Sequence, residues 1–196
     1  MSEVALILGN GASRKGLDLS PYKHIYGCNL AYEEDIDFEW IVATDPAVQH
    51  KIYREYGGNK LFLDWEPVPS EMAVAMMSMD TEFTSNEYTP FGCVISGDMN
   101  GRHMTYLRKH DNCLSVAESQ LPFAMASGAL AMWDAAERGF TTIYMAGFGD
   151  VDHLHNQQLM DETGRRMIRW EKERRQIIEK YNEIEWIYLE KSENNA

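Results

Sequence analysis

The hydrophobic positions of this chain come first in short unbroken blocks and only later in stripes. Val4–Leu8 is apolar at every position, the pattern of a strand buried on both faces of a parallel sheet. His24–Cys28, Trp40–Ala43, Leu61–Leu63, Thr142–Ala146 and Glu185–Leu189 are further blocks of this kind. Between them the period lengthens. Ala47–Tyr56, closed by Gly57-Gly58, predicts a helix, and so does the alanine-rich Pro122–Gly139. Gly164–Tyr181 predicts a long amphipathic helix, with Met167, Trp170, Ile177, Ile178 and Tyr181 on one side. Strands alternating with helices predict an α/β fold. The expectation is a single Rossmann-like domain over residues 1–196, a mostly parallel sheet with helices on both faces.

Residues 66–120 lose this pattern. They hold Pro67, Pro69, Pro90 and six of the twelve methionines. The stretch predicts an irregular or partly helical insertion that could serve as a lid over a site. No internal repeat and no low-complexity segment interrupts the rest, and the polar end "KSENNA" is expected to fray.

In parallel α/β sheets ligands bind outside the carboxyl ends of the strands, so the residues that follow each strand carry the interest. The first strand runs into "GNGAS". Gly9 and Gly11 permit close approach of a ligand, Asn10 can donate and accept, and Ser13 can cap a following helix. The spacing matches neither the dinucleotide fingerprint nor the Walker A loop, and a tight strand-to-helix turn explains the residues equally well. Asn29 follows the second strand and Asp45 the third. Ser127-Gly128 opens a helix of small residues, where exposed N–H groups and the positive helix end favour an anion. An ordinary helix start on a core helix is the plainer alternative.

After the late strand, "GFGDVDHLH" gathers Asp150, Asp152, His153 and His155 behind Gly147. This composition suits a divalent metal, an acid–base pair or a merely polar loop. Histidine titrates near neutrality and can serve as general acid or base. The helix 165–180 carries seven of the 18 basic residues, Arg165, Arg166, Arg169, Lys172, Arg174, Arg175 and Lys180. They form either a solvated face or a cationic wall for an acidic substrate.

Composition narrows the class. At 196 residues and net charge −13, general binding to nucleic acid or to anionic membranes is disfavoured by repulsion. Cys28, Cys93 and Cys113 form no paired spacing, which suits a reducing cytoplasm. The first residues lack the basic start of a signal peptide, and no apolar run approaches the roughly 20 residues of a membrane span. A cytoplasmic protein, free to form a homo-oligomer, is expected.

Taken in order, "LILGNGASRKGLDLS", "YGCNLAYEED" and "MASGALAMWDAAERGFTTIYMAGF" resemble the bacterial sialyltransferases that use CMP-activated sugars. The match spans about two thirds of the chain. It implies a nucleotide-binding fold that works without a metal. By that resemblance Asn10 and Asn29 would contact the nucleotide; together with their strand-end neighbours Gly9, Gly11, Ser13 and Asp45 they make up the expected nucleotide site. Ser127, Gly128 and Gly147 would meet the donor. The family's separate downstream general-base histidine has no clear match in this sequence; His155, then His153, with Asp150 are the residues of the loop itself that are expected to carry the acid–base chemistry. Asp45 stands where the family commonly has asparagine, and "GDVDHLHN" stands where it has phosphate-binding tyrosines. A second resemblance is to the archaeal-type 6-hydroxymethylpterin diphosphokinases, which implies a Mg·ATP-dependent pyrophosphokinase. A nucleotide-binding protein without catalysis is the third class. The leading expectation is a glycosyltransferase that takes its sugar from a nucleotide-activated donor to an acceptor hydroxyl, with no cofactor beyond the donor itself.

Overall fold

The computed structural model describes residues 3–65, 82–89, 92–99, 102–107, 112–149, 154 and 165–189, those between 82 and 107 through their backbone. The strands are β1 (Val4–Leu8), β2 (His24–Cys28), β3 (Trp40–Ala43), β4 (Lys60–Leu63), β5 (Glu82–Thr89), β6 (Gly92–Met99), β7 (Arg102–Leu107), β8 (Cys113–Val116), β9 (Thr142–Ala146) and β10 (Glu185–Leu189). The helices are α1 (Pro46–Glu55), α2 (Ser127–Glu137) and α3 (Arg165–Lys180). Seven strands form one sheet in the order β10-β9-β1-β2-β3-β4-β8. Every pairing in it is parallel. The fold is α/β and Rossmann-like, as the alternation of blocks and stripes predicts.

The pleat sorts the side chains of each strand to two faces. Ala5, Ile7, Tyr26, Cys28, Val42, Ile143 and Met145 point to the face covered by α2 and α3, where they meet Leu130, Met132 and Ile177. Leu6, Leu8, Ile25, Ile41, Ala43 and Phe62 point to the opposite face, under Ile52 and Tyr53 of α1. Leu6, Ile7 and Leu130 are fully buried, and each such residue contributes about 1.5–3 kcal/mol. Both faces being covered explains why β1 shows no polar alternation.

Three expectations are corrected. The stretch 66–120 is not irregular where it is described. β5, β6 and β7 pair antiparallel into a separate three-stranded sheet, and β8 joins the main sheet beside β4. Glycine, asparagine and aspartate inside "EFTSNEYT" and "GCVISGDM" interrupt their period of two, and the four residues of β8 are too few to show one. No α-helix follows the first glycine turn; a single 3-10 turn, Ala12–Arg14, stands there instead. Lys15-Gly16 ends that turn and Pro21 follows, so there is no room for a helix before β2. The helix expected over Pro122–Gly139 begins at Ser127 rather than Pro122. Among the described residues no helix is long and apolar enough to cross a membrane.

Candidate functional site

The chain leaves β1 toward β2 on one side and returns as β9 on the other. The order therefore reverses at β1, where crevices form at the carboxyl edge. Here the backbone narrows that crevice. The N–H of Gly9 donates to Ala146 O at 2.8 Å and that of Gly11 to Gly147 O at 2.9 Å, so the ladder continues past both strands. A Cβ on Gly9 would stand 2.4 Å from Gly147 O, and Gly147 has φ +75. Both positions therefore demand glycine. Arg14 locks the turn from behind: its Nε donates to Gly9 O at 2.6 Å and its Nη1 to Glu34 at 2.7 Å, while Nη2 donates to the other Glu34 oxygen. This bidentate pairing holds the planar fork in one orientation.

On that rigid base the other loops assemble. Asn29 opens the turn after β2 at φ 54, a left-handed conformation that asparagine tolerates better than most residues. The Ser127 hydroxyl donates to Asn29 Oδ1 at 2.8 Å. Ser127 Oγ in turn accepts the Thr44 N–H at 3.1 Å and stands 3.2 Å from Thr44 Oγ1. Its one proton being given to Asn29, the Thr44 hydroxyl is the donor in that last contact. The carboxamide oxygen of Asn29 is thus fixed, and Asn29 lines the cleft. Gln49, buried in α1, donates to Ala43 O and Leu63 O at 2.9 Å each, which steadies the end of β3. Asp45 Oδ1 accepts the Val48 N–H at 3.2 Å and so caps α1.

The result is a cleft of about 360 Å³. Its floor is Gly9, Asn10, Cys28, Asn29 and Thr44; the first turn of α2 and the first three turns of α3 form its walls. Asn10 Oδ1 is buried there without a hydrogen-bond partner. Such an atom costs about 1–3 kcal/mol unless something binds it. Helix α2 starts from Ala126 in an extended conformation, and no side chain caps its first amides, which leaves orphan donors at the positive end of the helix dipole. Glu173 of α3 ties the walls together. Its Oε2 accepts the Ala126 N–H at 2.8 Å and its Oε1 pairs with Arg169 at 2.9 Å. Arg166, Trp170 and Arg174 complete that wall.

Cys28 lies on the floor, but burial pushes its thiol up to about 12, so it stays protonated and un-nucleophilic at neutral pH. Among the described residues no group of three or more histidine, cysteine and acidic side chains is placed to hold a metal.

Of the residues singled out in the sequence, Gly9, Asn10, Asn29, Asp45, Ser127, Gly128 and Gly147 all line this one cleft. Gly11 and Ser13 do not. Gly11 gives its N–H to Gly147 and occupies the capping position of the 3-10 turn, in which Ser13 lies without acting as the cap. Asp150, His153 and His155 lie outside the described residues. Sequence reasoning missed Thr44, Phe148 and the particular role of Arg166, Arg169 and Arg174. Thr44 stands beside Asp45 in "ATDP", and the strand-end rule that found Asp45 applies to it as well. The arginines were visible as charge, but which of them face the cleft depends on how α3 packs.

No family model, no curated protein and no solved structure matches this chain.

Proposed function

We propose that the chain is a glycosyltransferase of the sialyltransferase-like type, taking its sugar from a nucleotide-activated donor. The observation that carries this reading is the convergence of Asn10, Asn29 and Ser127 on one cleft with an uncapped helix start. These are the residues that the resemblance assigns to nucleotide and donor. Asn10 Oδ1 supplies an acceptor for a base or ribose donor, and the Asn29 NH2 supplies a donor for a phosphate oxygen. Ser127 acts mainly by orienting Asn29, since its hydroxyl is engaged by Asn29 and Thr44.

In the reaction the acceptor hydroxyl oxygen attacks the anomeric carbon as the bond from that carbon to the donor phosphate oxygen breaks. The hydroxyl proton passes to a base, assigned to His155 ahead of His153. These residues follow and precede Leu154 in the chain, and the Leu154 N–H reaches Asn10 O at 2.8 Å. The departing phosphate gathers negative charge, which fixed amides and cationic groups stabilise without reorganising.

A thermal-shift panel of CMP, UDP, GDP, ATP and their sugar conjugates, with and without Mg²⁺, tests the reading. A ligand at 100 times its Kd stabilises by about 2.7 kcal/mol. Stabilisation by CMP or a CMP-sugar without metal is expected, together with release of CMP in the presence of a suitable acceptor. Stabilisation by ATP alone and only with Mg²⁺ contradicts it in favour of a pyrophosphokinase. Binding with no turnover across acceptor hydroxyls contradicts the catalytic part.

A further inference from the structure

Arg174 is buried to 8% exposure in the wall of the cleft. Its Nε is buried and without a hydrogen-bond partner, and no acidic side chain among the described residues pairs with it. Its packing contact is the ring of Phe148, whose centroid lies 5.5 Å from the guanidinium carbon. Phe148 in turn is wedged against the start of α2: a Cβ on Gly128 would lie 2.6 Å from Phe148 Cε1. The guanidinium, the aromatic ring and the uncapped first turn of α2 are therefore contiguous, and all three open into one cleft.

A guanidinium remains charged at every accessible pH. Its burial without a counter-ion is costly unless a ligand provides one. The neighbouring helix end presents amide donors and a positive dipole, so two independent features call for the same chemistry. The nearby carboxylate is already engaged, because Glu173 accepts from Ala126 and pairs with Arg169. Arg174 packs over the Phe148 ring and lines the cleft, and a guanidinium offers a planar fork of donors that matches a phosphate.

We propose that Arg174 is the phosphate anchor of the cleft, gripping the phosphoryl group of the nucleotide together with the first-turn amides of α2. This rests on the nucleotide reading for the identity of the ligand, but the anion site itself stands on the unpaired buried cation. Arg174 thereby sets the substrate class: a phosphorylated nucleotide, with the bare nucleoside bound only weakly.

Calorimetric titration in metal-free buffer with CMP, cytidine and inorganic pyrophosphate tests it on three proteins. Wild type should bind CMP and pyrophosphate, and cytidine at least 10-fold more weakly. Arg174→Met should lose about 10- to 100-fold in CMP affinity, the worth of hydrogen bonds to a charged group. Cytidine binding should be unaffected. Arg174→Lys should fall between, since it keeps the charge and loses the fork. Arg175→Met, which removes the exposed partner of Glu171, is the control and should bind CMP as wild type does. A folded Arg174→Met protein with unchanged CMP affinity overturns the proposal and leaves the nucleotide reading standing. Pyrophosphate binding that depends on Arg174, with no nucleotide binding, supports the anchor and overturns the nucleotide reading. Binding of neither CMP nor pyrophosphate by wild type overturns both.

Discussion

Two arginines are buried among the described residues, and they are buried differently. Arg14 and Arg174 are 6% and 8% exposed. Arg14 spends its whole donor face on the protein, on Gly9 O and both oxygens of Glu34. Arg174 lies on a phenylalanine ring with its Nε unpartnered. The same side chain serves two ends. The first holds the glycine turn in shape; the second leaves a charge uncompensated at the edge of a cleft. Folding alone selects for the Arg14 arrangement, because an unpaired buried charge destabilises the native state. A site accepts the Arg174 arrangement when a ligand completes it.

The largest effect expected from this contrast is on stability. Arg14→Met leaves Glu34 and the Gly9 carbonyl without their partner and should destabilise the protein by about 3 kcal/mol. Arg174→Met should leave the ligand-free protein unchanged or slightly more stable, because a flexible apolar side chain replaces an unpaired charge. Urea unfolding measures both. Equal destabilisation by the two substitutions breaks the contrast.

Lys60 adds a third buried cation of intermediate kind. It is fully buried, donates to Gly58 O at 2.8 Å and Asn112 Oδ1 at 3.3 Å, and burial lowers its pKa to about 8. The unfolded chain holds that proton up to the ordinary 10.5, the native state only to about 8. Between those values the unfolded state binds more protons, so the cost of burying the charge is full below pH 8 and is relieved as pH rises toward 10.5. Wild type should therefore gain about 3 kcal/mol on Lys60→Met over that window. A difference that stays constant across it would show that Lys60 is not held charged at a cost.

Asn10→Ala sharpens the comparison at the floor of the cleft. It removes an orphaned buried oxygen, so the ligand-free protein should be as stable as wild type or more stable, by up to about 1–3 kcal/mol. CMP affinity should fall by about 1–2 kcal/mol by calorimetry. Unchanged affinity in a folded variant makes the turn structural only. The smallest effect expected is at the helix start. Ala126→Asp supplies the cap that α2 lacks and should stabilise the ligand-free protein by about 1 kcal/mol. It should also weaken CMP binding, because its carboxylate takes the amides and repels the phosphate. Tighter CMP binding would contradict the role given to that turn.

The sheet was legible because its central strands are covered on both faces, so that β1 and β3 are unbroken apolar blocks and β2 and β9 nearly so. The strands between 82 and 107 were not, because their polar and glycine positions hide the alternation. Asn10, Asn29, Asp45 and Ser127 were found through one rule, that chemistry gathers at the carboxyl edge of a parallel sheet. That rule reads strands and the residues just after them. It is blind to α3, whose arginines reach the cleft only because Ile177 docks the helix against α2. It also could not distinguish Gly11 from Gly9, since their roles differ by which carbonyl of the β9 loop each amide meets.

The central claim, that the carboxyl edge between β1, β2 and α2 is a nucleotide site, is tested most directly by amide chemical-shift mapping with CMP in metal-free buffer. The expected result is perturbation confined to Gly9, Asn10, Asn29, Thr44 and the first turn of α2, with Gly57, Gly58 and Asn112 at the opposite edge unmoved. Perturbations centred on that opposite edge, or none at saturating CMP, would contradict it.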